Sequence, residues 1–315
     1  MEPSSIKTNS LRAWILAARP KTLSGATVPV IVAIAATIAD YRIAISSGSP
    51  GSYGIATLLG APRFFIPALL CLLYALVMQI DANFINDYYD FKKGSDTEER
   101  LGPKRACAQG WITQGAMKTG IIICTIIACA IGLPLVIYGG WWLIAVGVFC
   151  VIFAILYTTK LSYKGMGDVL VIIFFGLVPV GFTYYVIAHN ITLAVLMSGV
   201  AVGVVTDNLL MVNNYRDREQ DAKSGKRTIV VKYGSQTGED YYLLNGVMAV
   251  ILCFVCLITK YPWAAALPII YLVPHIITWR KMKTINHGKE LNSVLGLTAR
   301  NILIFGLLLA LGFIL

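Results

Sequence analysis

The sequence predicts an all-α membrane fold: nine transmembrane helices, the N-terminus on the cytoplasmic side, in one domain spanning residues 1–315. Three observations predict it. Of the 315 residues, 57% are hydrophobic and only 13% charged, with a mean hydropathy of +0.72, whereas a soluble domain carries roughly 25% charge. Nine apolar runs have the length needed to cross a hydrocarbon core. Finally, 23 of the 26 Lys and Arg residues fall in alternate connections, the asymmetry that orients membrane proteins with their basic loops inside.

The runs occupy residues 22–39, 64–85, 117–137, 141–157, 169–187, 191–212, 241–258, 263–279 and 294–315. Arg19, Pro20 and Lys21 interrupt any early apolar core, so no signal-peptide pattern appears and the first run is expected to stay in the mature chain. A Gly-, Ser- and Pro-rich external loop is expected at 46–54. Gly140 divides the third run from the fourth, and residues 188–190 divide the fifth from the sixth. Pro134, Pro179, Pro268 and Pro274 lie in or at the ends of runs, where neighbouring helices satisfy the freed carbonyls. On the basic side lie the N-terminal segment and four loops; on the other lie only Arg42, Arg63 and Lys260.

This composition excludes an ordinary soluble enzyme and a disordered chain. The net charge of +10 does not indicate nucleic acid, because the basic residues sit in short loops beside lipid headgroups. Seven cysteines, six of them inside apolar runs, make no disulfide framework. Cys253-x-x-Cys256 has no second ligand pair and reads as packing.

Two basic-side loops look alike. The second run is followed by Asn86-Asp87-Tyr88-Tyr89-Asp90, then Asp96, then Lys104-Arg105; the sixth by Asn213-Asn214-Tyr215-Arg216-Asp217, then Asp221, then Lys226-Arg227. Residues three or four apart share a helix face, so Asn83, Asn86, Asp87 and Asp90 gather at one helix end, and Asn213, Asp217 and Asp221 at the other. Acids at helix ends also make solvated ion pairs; the matched spacing of the two loops suggests an internal duplication and a shared site. Converging carboxylates repel unless cations intervene. Hard oxygen ligands suit Mg²⁺, which completes its shell with substrate phosphates, and the basic pairs suit the remaining phosphate oxygens. Acid, amide and base, twice over, at a membrane interface read as a Mg²⁺–diphosphate site for a lipid substrate.

These motifs resemble the two Asp-rich motifs of the UbiA superfamily of intramembrane aromatic prenyltransferases. Ala18-Arg19-Pro20-Lys21-Thr22-Leu23, Lys93-Gly94-Ser95-Asp96-Thr97, Gly102-Pro103-Lys104-Arg105 and Gly225-Lys226-Arg227-Thr228 are similar to the branch that prenylates 1,4-dihydroxy-2-naphthoate. The resemblance implies nine helices around one central cavity, open to the cytoplasm at the Asp clusters and sideways to the bilayer. It implies transfer of a polyprenyl group from polyprenyl diphosphate to 1,4-dihydroxy-2-naphthoate, with Mg²⁺, loss of the ring carboxylate, and demethylmenaquinone as product, in a cytoplasmic membrane. By the same resemblance Asn86, Asp90, Asp217 and Asp221 are the metal–diphosphate positions, with Asp87 and Asp96 as further metal candidates. Asn214, Lys104, Arg105, Lys226 and Arg227 would hold diphosphate. Tyr157 and Lys160 stand one residue closer than the family's usual Tyr-x-x-x-Lys, which leaves Lys160 and Lys164 as alternatives.

Asp168, opening the fifth run, and Asp207, Asn208 and Asn83 are candidates for facing the cavity or acceptor, since ionisable residues in a membrane are functional candidates by default. Asp207 stands ten residues before Asp217, close to three helical turns. Two other readings compete: a sister enzyme acting on 4-hydroxybenzoate or homogentisate, and a secondary transporter of an anionic substrate. The charged clusters lie at helix ends rather than at the bilayer midplane, against the transporter.

Overall fold

The computed structural model describes residues 6–46, 61–94 and 100–315; the external loop expected at 46–54 lies almost wholly outside them, as do Asp96 and the side chain of Lys160. Among the described residues nine helices are long and apolar enough to cross a membrane: α1 Leu23–Ser46, α2 Pro62–Lys92, α3 Gln114–Gly139, α4 Trp142–Thr159, α5 Gly167–Ala188, α6 Leu193–Arg216, α7 Ser235–Ile258, α8 Pro262–Ile285 and α9 Leu291–Ile314. No strand occurs among the described residues. Each expected run has its helix, and most helices outrun it. The extension of α2 to Lys92 carries Asn86, Asp87 and Asp90 inside a continuous helix.

One further helix, Leu11–Ala18, precedes α1. Ser10 caps it, its side chain accepting from the Ala13 amide, and Ala13 and Ala17 are buried. Its Trp14 ring packs edge-on against Phe84 of α2 at 5.2 Å, while Leu11, Ile15 and Leu16 face outward. An apolar side of only two turns is too short to register as a span, which is why the sequence did not announce it.

Burial is uneven because residue size is. α6 is the most buried span, whereas α4 has no buried residue between Trp142 and Leu156. Lipid tails are as apolar as leucine, so helices associate through close approach of small residues. A Cβ added at Gly203 of α6 would lie 2.5 Å from the Ile172 carbonyl oxygen, and one at Gly176 of α5 would lie 2.5 Å from the Gly203 Cα. α5 widens into a π-type turn at Ile173–Leu177 where this contact is made. The first and last spans close the ring in the same way, with a Cβ at Gly306 only 2.3 Å from Val28 Cγ1. Gly203→Ala, which must push backbone rather than a flexible side chain, is expected to cost about 1–3 kcal/mol. A lowered thermal midpoint in detergent checks it, with Gly147→Ala, at a position where a Cβ meets nothing within 4 Å, as the control.

Candidate active site

The two motif helices both contribute to one cavity, through Asn86 of α2 and Asn213 of α6. On α2, Asn83 Nδ2 donates to the Ala18 carbonyl (2.9 Å) and to Thr22 Oγ1 (3.1 Å), fixing the bend between the N-terminal helix and α1. Asn86 Oδ1 accepts from Thr158 Oγ1 at the end of α4. Asp87, fully buried, accepts from the amides of Ala106 and Cys107, both at 2.8 Å. That holds the loop after α2 in place, and the same loop delivers Arg105 to Asp90 at 2.8 Å.

On the second motif, α6 ends at Arg216 and a short helix, Arg218–Lys223, follows. The Asp221 amide still donates to the Asp217 carbonyl at 2.8 Å, so the expected helical spacing of Asn213, Asp217 and Asp221 survives the break. Arg216 forms a two-point pair with its neighbour Asp217, 2.7 Å at each contact. Its other nitrogen donates to Asn292 of α9 (2.9 Å), and Asn292 Nδ2 donates to the Leu101 carbonyl (2.8 Å). Arg216 thus joins the second motif to the loop of the first. At Gly102 of that loop a Cβ would lie 2.7 Å from the Arg216 Nη2, so a side chain there would have to displace the guanidinium.

Lys226 stands between the halves. Its Nζ lies 3.5 Å from both Asp221 oxygens, and its charge also acts on Asp90 and Asp168. Burial pushes the Asp221 carboxyl above the ordinary carboxylate range, against the lowering by Lys226 and Arg100 and with a further rise from Asp217. Lys93 donates to the carbonyls of Thr158 (3.2 Å) and Thr159 (2.8 Å) and lies over the Tyr163 ring. Partial burial holds it below the ordinary lysine value, Asp90 opposing the shift and Lys226 adding to it. Sequence reasoning gave no site role to Lys93, Arg19 or Arg216, although Lys93 and Arg19 stand in the segments that resemble the naphthoate branch and Arg216 stands inside the second motif.

The remaining candidates divide. Asn214 is buried beside Asp168 and Lys226, in a small gap near Thr228. Lys104 and Arg227 are exposed, and Arg227 contributes its backbone amide to the Tyr163 carbonyl at 3.1 Å. Asp207 and Asn208 are fully buried and do not line the main cavity. Asp207 Oδ2 accepts from Asn245 of α7 at 3.2 Å, because ten residues leave a helix about 80° short of three full turns. Asn83 does line the cavity, as do Asn86 and Asn213.

That cavity, about 470 Å³, is bounded by α1–α6. Its polar end consists of Arg19, Gln79, Asn83, Asn86, Tyr157 and Asn213, and the remainder is almost wholly apolar. The shape suits a molecule with an anionic head and a long hydrocarbon tail.

Among the described residues no three carboxylate, imidazole or thiol groups converge into a ready-made cage. Asp90, Asp217 and Asp221 instead each hold a cation of the chain itself. Oxygen donors on two facing helix ends fit Mg²⁺, which commonly takes one or two carboxylates and fills its shell from water and phosphate.

Residues 48–297 match the UbiA prenyltransferase family. The 1,4-dihydroxy-2-naphthoate octaprenyltransferase of Haemophilus influenzae is 31% identical over 287 residues, covering 86% of this chain and 87% of that one. The enzyme of the same description from Mycobacterium tuberculosis is 31% identical over 309 residues, covering 96% of each. A UbiA homologue from Archaeoglobus fulgidus, solved with DMAPP and Mg²⁺, shares the fold at a TM-score of 0.59 and 14% identity, covering 94% of this chain and 98% of that chain. Nine spans, paired Asp motifs and this similarity over most of its length agree: the chain is a multi-pass integral membrane protein that belongs to the UbiA prenyltransferase family.

Proposed function

We propose that this chain transfers a polyprenyl group from its diphosphate to 1,4-dihydroxy-2-naphthoate. The observation that carries the reading is that one asparagine of each Asp motif, Asn86 and Asn213, lines the polar end of an apolar cavity, while Lys226 pairs with Asp221 of the second motif and acts on Asp90 of the first. The choice of acceptor is supported by the relatives named for that substrate. In this reading the motif ends face the cytoplasm, on the side that carries the basic loops.

Asn86, Asp90, Asp217 and Asp221 would hold Mg²⁺, and Asp87 is assigned to the loop it anchors rather than to the metal. Bound Mg²⁺ supplies positive charge to the diphosphate oxygens as the allylic C–O bond breaks. Arg105 and Lys226 meet the oxygens the metal leaves free, with Arg19 and Lys93 close by; charge-assisted pairs of this kind are strong and directional. The apolar wall keeps water from the allylic carbon. The ring carbon forms the new C–C bond, and loss of CO₂ from the alkylated ring returns the electron pair that restores aromaticity. The products are diphosphate, CO₂ and demethylmenaquinone in its quinol form.

The test is turnover of reconstituted protein with 1,4-dihydroxy-2-naphthoate, a polyprenyl diphosphate and Mg²⁺, with and without chelator. A chelator-sensitive product lacking the carboxylate is expected. Prenylation of 4-hydroxybenzoate instead would move the reaction to a sister acceptor.

The raised Asp221 carboxyl adds a pH dependence. A proton competes with the cation for a group that ionises only above the usual carboxylate range, so Mg²⁺ binding weakens on acidification while an exposed aspartate would still be charged. Calorimetric titration of Mg²⁺ with inorganic diphosphate across a pH series checks this. Affinity that stays flat until the ordinary aspartate range would contradict it.

A further inference from the structure

Lys226 is held more loosely than the other cations of the site. Its Nζ lies 3.5 Å from both oxygens of Asp221, whereas Arg105 meets Asp90 at 2.8 Å and Arg216 meets Asp217 at 2.7 Å, the ordinary length of a charge-assisted pair. Lys226 also borders a small gap that it shares with Ser162, Asp168, Asn214 and Thr228. The gap measures about 10 Å³, room for a single group the size of a water. Lysine's ammonium, a compact charge on a flexible four-carbon stem, is such a group.

Asp168 is the unexplained member of this set. It stands in the first turn of α5, is 5% exposed and does not line the main cavity. Its Oδ1 is buried and accepts from no donor, a costly state for a carboxylate oxygen. Lys226 is the side-chain cation whose charge acts on it. The wall of the gap is fixed. The Arg227 amide donates to the Tyr163 carbonyl at 3.1 Å, and at Gly165, where φ is +77°, a Cβ would lie 2.4 Å from the Arg227 carbonyl oxygen. The turn after α4 and the loop after α6 are thus pressed together above Asp168.

We propose that Asp168 is a second acceptor for the Lys226 ammonium, which leaves Asp221 for the gap when Asp221 takes up Mg²⁺. The inference rests on the metal reading given above and deepens it. In the structure Lys226 neutralises Asp221, whose charge is otherwise opposed by that of Asp217. A divalent cation arriving at Asp221 meets this ammonium as a competitor of like charge. Transfer into the gap removes the competitor over a short distance and pairs the buried oxygen of Asp168. Asp168 is therefore a positioning residue, acting on the metal site through Lys226.

The experiment is a double-mutant cycle on Mg²⁺ binding, read from the rise in thermal midpoint of the detergent-solubilised full chain as Mg²⁺ alone is added. Lys226→Met is expected to bind Mg²⁺ at least about fivefold more tightly than wild type, because the internal competitor is gone. Asp168→Asn is expected to weaken Mg²⁺ binding at least about fivefold in wild type but less than about twofold in Lys226→Met, a dependence that a merely structural Asp168 would not show. Equal loss in both backgrounds, or no loss in either, overturns the exchange and leaves the metal reading intact. A Lys226→Met protein that binds Mg²⁺ no more tightly than wild type overturns it as well, and this arm decides the matter should Asp168→Asn fail to fold. A wild-type protein whose midpoint Mg²⁺ moves neither alone nor with inorganic diphosphate removes the metal reading, and the exchange with it.

Discussion

Asp217→Ala is expected to lower Mg²⁺-dependent turnover roughly 10²–10³-fold, the loss usual when one group stabilising developing charge is removed, and to destabilise the protein as well. The two effects have separate origins. Turnover falls because a facing carboxylate is lost. Stability falls because Arg216, whose side chain is 1% exposed, keeps only the Asn292 oxygen among the partners described above. Removing one member of a buried ion pair typically costs about 3–5 kcal/mol. Asp217→Asn preserves shape and one acceptor while removing the charge, so it should recover much of the thermal midpoint and little of the activity. Double replacement with Arg216→Met removes both charges and should recover midpoint without activity. Full turnover in a folded Asp217→Ala protein would remove Asp217 from the metal site.

Asp87→Ala is expected to act in the reverse order, with stability first and activity following. Its carboxylate is the shared acceptor for two buried amides, Ala106 and Cys107. An unsatisfied buried donor costs about 1–3 kcal/mol, so losing both acceptors amounts to about 2–6 kcal/mol. The loop that carries Arg105 to Asp90 loses its anchor at the same time. Thermal unfolding and the Mg²⁺ dependence of turnover separate the roles: Asp87→Asn, which still accepts one amide, should keep the wild-type Mg²⁺ dependence at reduced stability. A shift in the Mg²⁺ dependence of that variant at wild-type stability would return Asp87 to the metal.

Much of this was legible from the residues. The nine runs and the two motif ends follow from apolar length and helical spacing, both local properties. Asp87 and Asp90 could not be told apart by spacing, because both sit at a helix end and differ only in what the following loop does. That loop's path depends on where backbone amides find an acceptor, which no local pattern records. Arg216 was inconspicuous for a similar reason. Its partners are its own neighbour and Asn292, 76 residues on, and only the packing of α9 against the motifs makes it a bridge. Asp207 was placed near the cavity by counting turns, and a phase error of about 80° sends it toward α7 instead. The N-terminal helix carries an apolar side too short to stand out among nine longer ones.

The seam between Val28 and Gly306 also has a meaning in time. α1 and α9 are separated by 245 residues of chain, counting from Ser46 to Leu291. At about 5–20 residues per second that is roughly 10–50 s of synthesis. Throughout that interval the first span is in the bilayer with the face that will meet α9 still turned to lipid or to whatever assists insertion, and both Asp motifs are made before it ends. The ring of helices is therefore closed last by α9, and the enclosure around the cavity is a property the nascent chain acquires only once that span has been made.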